Sequence, residues 1–422
     1  MPTISENGEP KPRPATDGGP RRATIAFIFV TVVLDMLALG IVIPVLPKLI
    51  LEFEGGNAES AAGWQAVFGT VFAGLQFFAA PLLGALSDRF GRRPLILLSN
   101  LGLAADYVLM ALSPSIRWLL FGRILAGLLS ATISIPGAYV ADTVPPEKRA
   151  ASFGMIGAAF GLGFVIGPAV GGLAGATDPR LPFWIAAALS AANFLYGCFV
   201  LPESLPPERR SAFAWSKANP IGALAFLGRT HGIWGLAVVA ALNWLAHDSL
   251  PQTFFLYAHA RFGWDTRMVG LAMAAVGVMS VLVSGFLVGR VVRALGERTA
   301  LRAALLAGTT AMLLYAFAWR PEVVFVAIAI GSFWSISNSA NQSLMTQHVA
   351  PEEQGRLQGA LASLRAACQV TTPSLFNGIF AVAIRGPRPP FPGAPFVLSA
   401  ALMATAFGVA TFVTRDTQVP DA

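Results

Sequence analysis

Long apolar stretches recur along the chain at nearly even intervals, separated by short polar segments. A transmembrane helix needs roughly 20 consecutive, mostly apolar residues, and each stretch meets that length. The pattern therefore predicts twelve transmembrane helices, called spans 1–12 below. They are predicted at 23–50, 63–87, 95–113, 117–141, 152–175, 181–201, 231–258, 268–290, 299–318, 322–346, 356–383 and 393–414.

Polar segments divide the chain into parts. Residues 1–22 contain five prolines and several charges but no apolar run, so they lack the hydrophobic region of a signal peptide and are predicted to form a disordered, uncleaved tail. A charged, proline-containing segment at 202–230 forms a central loop. It separates an N-terminal six-helix half at 23–201 from a C-terminal six-helix half at 231–414, and 415–422 forms a second tail.

The composition supports a membrane protein. Hydrophobic residues make up 55% of the 422 positions and charged residues only 12%, whereas soluble domains average about 25% charged. Most soluble enzymes are thereby excluded. Two cysteines cannot build a disulfide framework, the four histidines show no metal-ligand spacing, and no phosphate-binding loop appears. We expect no cofactor, no metal and no enzymatic activity.

The net charge of +7 reports orientation. If the N-terminus is cytoplasmic, the cytoplasmic tails and loops hold nineteen Lys and Arg residues and the opposite face holds eight. Such a bias places both termini in the cytoplasm and the protein in the inner (plasma) membrane. A nucleic-acid partner is not needed to explain the basic charge.

The two halves repeat each other at an offset of 205 residues. The segment GALSDRFGRR at 84–93 has Gly, an ionic residue, Gly and Arg at positions matched by GRVVRALGER at 289–298. The same offset pairs Gly154 with Gly359 and Pro168 with Pro373. Parallel six-helix repeats with a site between them build one large class of secondary transporters, so the repeat predicts alternating access.

Three motifs make the chain resemble the major facilitator superfamily from residue 23 to 414. The segment GALSDRFGRRP at 84–94 is similar to the superfamily's loop motif between helices two and three. Arg123 and Gly127 resemble its helix-four motif, and GMIGAAFGLGFVIGPAVGG at 154–172 resembles the helix-five motif associated with antiporters. The resemblance implies an all-α membrane protein with the major facilitator fold.

Within that superfamily the chain is similar to the tetracycline-efflux proteins of the TetA type. The similarity lies in 34–47, 87–94, 105–107 and 261–264. It implies export of an amphiphilic drug, with tetracycline as the named candidate, in exchange for protons. TetA-type proteins place an acidic residue in helix nine, whereas span 9 contains no acid and has Gly308 near that position.

The loop after span 2 is predicted to act as a conformational latch. Gly84 would permit close helix approach, Asp88 would accept a hydrogen bond or ion pair, and Asp142 is a candidate partner. The arginines lie where phosphates and helix ends are expected. The alternative is that these arginines only fix the topology. The latch residues are Gly84, Asp88, Arg89, Gly91, Arg92, Arg93 and Asp142.

Glycines four residues apart in span 5 share one helix face and allow another helix to pack closely. Pro168 removes a backbone hydrogen bond and can bend the same helix. We expect this packing to open or seal the transport path. The residues are Gly154, Gly163, Gly167, Pro168, Gly171 and Gly172.

Ionisable side chains inside spans cost roughly 2.5–3.5 kcal/mol each at mid-helix on insertion scales, so each needs a partner or a function. Those predicted to couple protons or line the cavity are Asp35, Asp106, Arg123, His247 and Asp248. The alternatives are a static Asp35–Arg123 pair, an interhelical hydrogen bond of Asp106 and a structural hydrogen bond of His247.

Two of these predictions depend on local sequence. Asp35 lies near mid-depth of span 1 and precedes Pro44 and Pro47, which would bend the outer part of the helix. His247 and Asp248 are adjacent and point about 100° apart, so one of them is predicted to face the cavity.

Amide side chains are the candidate substrate contacts. Asn338, Asn341 and Gln342 share one face of span 10 and are suited to a polar polycyclic substrate. The alternative is that they join helices. Gln76 in span 2 is similar to a glutamine of the TetA-like proteins.

Two other functions remain open. A metabolite facilitator or importer of the same fold would need no proton-titrating set; the missing span 9 acid favours it, and the span 5 glycines argue against it. A membrane receptor that does not transport its ligand is disfavoured by the short tails. The predicted partners are a small-molecule substrate, protons and membrane lipid, and the protein is expected to be monomeric.

Overall fold

The computed structural model describes residues 19–129, 134–144, 146–210, 227, 233–349, 354–385 and 390–414. Helices account for nearly all of these residues, and no strand occurs in these ranges. Eleven of the helical segments are long and apolar enough to cross a membrane, and they correspond to spans 1–3 and 5–12. Span 4 is described as two shorter helices on either side of 130–133, which lie outside the described residues. The expected all-α membrane fold is confirmed.

Each span comprises one or two α-helices in the described residues. In the N-terminal half, span 1 comprises Gly19–Val42 and Leu46–Phe53, span 2 Ala58–Phe90, span 3 Arg92–Ala111, span 4 Ile116–Leu129 and Ser134–Thr143, span 5 Pro146–Thr177 and span 6 Leu181–Phe199. In the C-terminal half, span 7 is Ile233–Phe262, span 8 Thr266–Leu282 and Val288–Leu295, span 9 Glu297–Phe317, span 10 Pro321–Gly331 and Trp334–Gln347, span 11 Gln354–Ile384 and span 12 Ala394–Val413.

Several helices extend past their apolar cores. The first helix begins at Gly19, inside the predicted tail, and span 2 begins at Ala58, before its predicted start. Backbone hydrogen bonds continue a helix into polar sequence as long as its end is capped. In span 2 the cap is Asn57, whose side chain accepts hydrogen bonds from the backbone N–H of Glu59 at 3.0 Å and of Ser60 at 3.1 Å. The rest of the predicted tails and of the 202–230 loop lies largely outside the described residues.

Three spans are interrupted inside the bundle. The helix of span 1 ends at Val42 and resumes at Leu46, as its two prolines predict. Span 8 contains a π-helical turn at Val283–Leu287, and span 10 breaks between Gly331 and Trp334. The break in span 10 places Trp334 at the start of a helix beside span 7, where it contacts His247.

Spans pack extensively within each half, two pairs of spans join the halves, and the largest apolar cluster includes residues of both. Span 1 packs on spans 5 and 6, and span 7 packs on spans 11 and 12. Between the halves, span 2 packs on span 11 and span 5 packs on span 8. The 205-residue offset relates span 2 to span 8 and span 5 to span 11, so the two contacts between halves are equivalent in the repeat.

Span 5 touches its neighbours through backbone atoms. A Cβ atom on Gly171 would lie 2.0 Å from the carbonyl oxygen of Ile41, and one on Gly167 would lie 2.6 Å from the Cα of Gly40. On another face, a Cβ on Gly172 would lie 2.8 Å from the Cα of Gly270 in span 8. Only glycine fits at these positions, so span 5 is locked between spans 1 and 8.

The halves meet tightly at one end of the bundle. We call the end with the loops after spans 2 and 8 the basic end, and the opposite end the far end. Near the far end, Gln65 donates to the carbonyl of Gln252 at 2.6 Å, and the hydroxyls of Thr70 and Ser374 lie 2.7 Å apart. A Cβ on Gly69 would lie 2.5 Å from Pro373.

The same spans face open space toward the basic end. Several glycines there have no neighbouring atom within 4 Å of an added Cβ, and the described side-chain hydrogen bonds between the halves all lie on the far-end side. These glycines are Gly74 and Gly84 in span 2, Gly285 and Gly289 in span 8, and Gly359 in span 11. The space between the halves is therefore closed at the far end and opens at the basic end.

We predict that Gly171→Ala lowers the free energy of unfolding by about 1–3 kcal/mol, because the added methyl group collides with a backbone carbonyl that cannot move aside. Thermal unfolding of the detergent-solubilised protein measures the effect. Gly161→Ala is the matched control on the same helix, since its Cβ would meet its nearest neighbour at an ordinary 3.4 Å. Equal melting temperatures for the two variants would contradict the close packing.

Candidate functional site

Asp35 is buried in the N-terminal half. Asn193 of span 6 donates to its Oδ1 at 2.8 Å and to the carbonyl of Thr31 at 3.0 Å. Asn193 therefore ties the carboxylate of Asp35 to the backbone of span 1. The alternative pairing of Asp35 with Arg123 is not what the structure has, since Arg123 contacts Asp106 instead.

Asp106 and Arg123 form a second buried group. The guanidinium Nη2 of Arg123 lies 3.5 Å from Asp106 Oδ2, and neither carboxylate oxygen of Asp106 has a hydrogen-bond partner within the described ranges. The guanidinium also lies over the ring of Phe72, 5.4 Å from its centroid. Gly122 leaves room for this carboxylate, because a Cβ there would lie 2.5 Å from Asp106 Oδ1. A buried carboxylate without hydrogen bonds is loosely held and suited to exchanging a proton.

A third charged cluster lies in the C-terminal half. Asp248 of span 7 accepts from Nη2 of Arg365 in span 11 at 2.8 Å. Nδ1 of His247 lies 3.5 Å from the same Asp248 oxygen, and the imidazole stacks on the indole of Trp334 with centroids 3.7 Å apart. Both His247 and Asp248 thus take part in one cluster, although their side chains leave the helix in different directions.

This cluster borders a cavity of about 380 Å³. That volume is within the 300–1,000 Å³ typical of small-molecule sites. The cavity lies between spans 7, 10 and 11 of the C-terminal half, toward the basic end. Its lining includes Trp244, Trp334, Asn338, Gln342, Gln358 and Arg365.

The three predicted amides all line the cavity, but they have different partners. Asn338 accepts from Nε1 of Trp244 at 3.0 Å, and Gln342 donates to Gln358 at 3.1 Å. Asn341 is buried and donates to the carbonyl of Leu236 at 3.0 Å, so it also joins spans 10 and 7. Gln342 is exposed to the open space, whereas Asn341 fits the alternative role of joining helices.

Two further positions lie away from this cavity. Gln76 is half-buried in span 2, one helical turn from Phe72. Gly308 in span 9 packs against span 12, where an added Cβ would lie 2.6 Å from the sulfur of Met403. A side chain at position 308 would have to displace the thioether of Met403. Among the described residues, no group of three or more His, Cys, Asp or Glu side chains is placed to hold a metal ion.

Arg92 is the centre of the predicted latch. It contacts Asp88 at 2.6 Å and Asp142 at 3.0 Å, and it donates to the hydroxyl of Ser87 at 2.5 Å. The side chain is buried, so the loop after span 2 is tied to the end of span 4. Arg89 is exposed beside the ring of Phe90.

Glu203, after span 6, completes the latch and was not predicted from the sequence. Its carboxylate accepts from the backbone N–H of Arg92 at 2.9 Å and of Arg93 at 3.3 Å, which caps the N-terminus of span 3. Gly91 sits against this carboxylate with φ +105°, and a Cβ there would lie 2.3 Å from Glu203 Oε2. Arg93 donates to the carbonyl of Cys198 at 2.5 Å. The latch therefore joins spans 3, 4 and 6.

The C-terminal half has a counterpart of the Arg92–Asp142 pair that is a hydrogen bond and not an ion pair. The 205-residue offset maps these positions to Glu297 and Gln347, and Gln347 donates to Glu297 Oε2 at 2.6 Å. A side-chain contact is therefore kept at these two positions, although different residues make it.

Two of the predictions about glycines have other outcomes. Gly84 does not permit close helix approach in this conformation, because the space beside it is open, and the surroundings of Gly154 lie outside the described residues.

Sequence reasoning did not assign several partners of the predicted site residues. Asn193 was detectable in principle as an amide inside the apolar span 6, and Arg365 as a charge inside span 11. Trp244 resembles any other aromatic residue of a membrane helix. The role of Glu203 depends on where the chain returns after span 6, which the local sequence does not specify.

Comparison with known proteins decides the family. The profile of the Major Facilitator Superfamily matches residues 28–373. The chain belongs to the major facilitator superfamily. Within this superfamily it groups with the tetracycline resistance proteins: it is 37% identical to the class C protein of Escherichia coli and 35% identical to the class D protein of Salmonella ordonez. The alignments cover 83% and 85% of this chain and 88% and 89% of those proteins.

Solved structures agree with this assignment. The human organic anion transporter MFSD10 is 26% identical with a TM-score of 0.68, and the match covers 93% of this chain and all of that one. The nucleoside transporter NupG matches with a TM-score of 0.73 over 93% of this chain and 99% of its own, at 13% identity, which supports the fold alone. The predicted resemblance to TetA-type proteins is confirmed, and this major facilitator is a membrane transporter rather than an enzyme.

We predict that Gly91→Ala lowers the free energy of unfolding by about 1–3 kcal/mol, because a side chain at φ +105° is strained and collides with Glu203. Thermal unfolding again measures the change. Gly84→Ala in the same loop motif is the control, since nothing lies within 4 Å of its Cβ. If both variants melt with the native protein, Glu203 does not hold this loop.

Proposed function

We propose that this transporter exports an amphiphilic drug of the tetracycline type in exchange for protons, across the inner membrane and with both termini in the cytoplasm. The observation that carries the proposal is the burial of two carboxylates, Asp35 and Asp106, inside a helical bundle that is open at one end only. Buried carboxylates inside membrane helices are proton carriers in many transporters. The relatives named as tetracycline resistance proteins supply the substrate class.

The excess of basic residues assigns the basic end to the cytoplasm. The open side of the cavity then faces the cytoplasm, and the close contacts of spans 2 with 11 and 5 with 8 seal the outer side. An exporter loads its drug in this state. A rocking of the two halves would open the far end and close the basic end. We propose that one chain completes the cycle as a monomer.

Asp35 is the residue proposed to carry the proton. In its ionised form it accepts from Asn193, and a proton from outside would replace that charge before the halves return. Asp106 and Arg123 form a second exchangeable pair, because a proton on Asp106 would release the guanidinium toward Phe72 and the space beyond span 2. Protonation of Asp35 removes an unpaired buried charge before the protein moves, which lowers the electrostatic cost of the motion.

We predict that Asp35→Asn abolishes drug-driven proton release from respiring everted vesicles. The asparagine keeps an oxygen that accepts from Asn193, so the fold is retained while the titrating group is lost. Tetracycline is the first drug to test. Downhill counterflow of the drug is expected to persist.

The matched control is Asp265→Asn, because Asp265 caps span 8 through the backbone N–H of Met268 at 2.8 Å and asparagine caps equally well. If tetracycline drives equal proton release in the Asp35→Asn protein and the native protein, Asp35 does not couple proton movement to transport.

A metabolite facilitator is the second candidate function. The observation in its favour is Gly308, where the TetA resemblance implies an acid. Gly308 packs on Met403 and faces away from the cavity. The absence of an acidic residue at position 308 therefore removes no charged group from the cavity of this chain. Transport of a drug against its gradient, driven by protons, separates the two candidates.

We also predict that single cysteines report the open end. In a protein without Cys198 and Cys368, Gln342→Cys is expected to react with a membrane-impermeant maleimide added from the cytoplasmic side, because Gln342 is exposed in the cavity. Gln65→Cys is expected to be protected, since position 65 is buried at the sealed end. Rapid labelling of position 65 together with slow labelling of position 342 would contradict the inward-open state.

A further inference from the structure

We propose that Arg365 is an anion-recognising residue of the cavity, and that the substrate is a flat, ring-containing molecule with a carboxylate or another acidic group. This inference rests on the proposed function, because it names the substrate class of the same cavity. Arg365 lies on span 11 beside the cavity, and 29% of its side chain is exposed.

The hydrogen bonding of Arg365 leaves donors to spare. Its Nη2 binds Asp248 at 2.8 Å, whereas Nη1 has no partner among the described residues. A guanidinium has five N–H groups and favours two-pronged contact with a carboxylate. Asp248 therefore fixes the orientation of Arg365 and leaves Nη1 as a buried donor that still lacks an acceptor among the described residues.

A second donor in the same cavity also lacks a partner. Nε1 of Trp334 has no hydrogen bond within the described ranges. Buried donors without acceptors are rare, and each requires an explanation. Two such donors beside one cavity, on spans 10 and 11, indicate a ligand that brings acceptors. The carbonyl oxygen of Asn341 is likewise unpartnered and would accept from a hydroxyl or amide of that ligand.

The remaining wall specifies the shape of the ligand. The Arg365 guanidinium lies over the Trp244 ring at 5.4 Å, and the Trp334 indole stacks on His247. These flat surfaces, together with Leu361 and Met345, form an apolar wall suited to a ring system. The amides of Asn338 and Gln342 add neutral polar contacts at the rim.

The charge of the cluster is consistent with one bound anion. Asp248 neutralises Arg365, and the other titratable groups beside this pair are His247 and Cys368. A ligand carboxylate competes with Asp248 for the guanidinium, so the arginine is shared between a protein acid and a substrate acid. Removing the charge of Asp248 should strengthen anion binding, an effect that a purely structural ion pair would not produce.

The test compares two probes of the same shape. Anthracene-9-carboxylate and anthracene-9-carboxamide share one ring system, but only the first carries a negative charge; quenching of tryptophan emission follows their binding in a titration of the purified full-length protein. We expect the native protein to bind the carboxylate at least about tenfold tighter than the amide, as one charge-assisted hydrogen bond provides. The Asp248→Asn protein should bind the carboxylate more tightly still.

The preference should vanish in the Arg365→Gln/Asp248→Asn protein, which leaves no unpaired buried charge and is checked for folding by gel filtration. Arg365→Lys should retain part of it, because lysine keeps the charge but not the planar fork. Arg320→Gln is the control: this arginine is exposed at the far end, outside the cavity. Equal affinity of the native protein for both probes, no quenching by either, or a preference that survives in the double variant overturns the proposal.

The vesicle experiment with tetracycline keeps the two proposals apart. If tetracycline drives no proton release but the native protein still prefers the carboxylate probe, the proposed function is overturned and anion recognition is supported. Tetracycline-driven proton release without that preference would overturn anion recognition alone.

Discussion

The transport path depends on backbone contact between helices at the far end of the bundle. Span 5 touches span 1 and span 8 at distances that exclude even a methyl group, and Gly69 of span 2 touches Pro373 of span 11 in the same way. The seal between the halves combines these glycine contacts with hydrogen bonds from the side chains of Gln65 and Thr70. Neither kind of contact interlocks the two surfaces, so the interface that closes the path is also one that can open.

The buried ion pairs are placed where the same motion does not separate them. Asp106 pairs with Arg123 inside the N-terminal half, and Asp248 pairs with Arg365 inside the C-terminal half. Breaking a buried ion pair is costly because it leaves an uncompensated charge in a medium of low dielectric constant. The described ion pair that does cross between the halves, Glu59 with Arg385, is at the far-end surface, where water lowers that cost. The halves can therefore rock without separating a buried pair.

The sequence predicts the fold well because the bilayer imposes a simple rule. Apolar length gave the spans, the 205-residue offset gave the halves, and Pro44 and Pro47 gave the break in span 1. The site was less predictable, because helix rotation decides which side chains meet. Asp106 could have faced several spans, and nothing local assigns Asn193 rather than Arg123 to Asp35. Contacts such as Glu203 with the start of span 3 depend on the return of a distant segment.

The two halves have come to differ most where the repeat carries charge. The TetA resemblance implies an acid in span 9, but that span packs on span 12 and faces away from the cavity. The ionisable groups of the C-terminal half lie instead on spans 7 and 11, which border the cavity. Positions Asp35 and Asp106 map by the offset to alanines, and Arg365 maps to Phe160. The halves therefore share a packing scheme and differ in chemistry: the N-terminal half buries Asp35 in addition to its arginine–aspartate pair, and the C-terminal half places a histidine beside its pair.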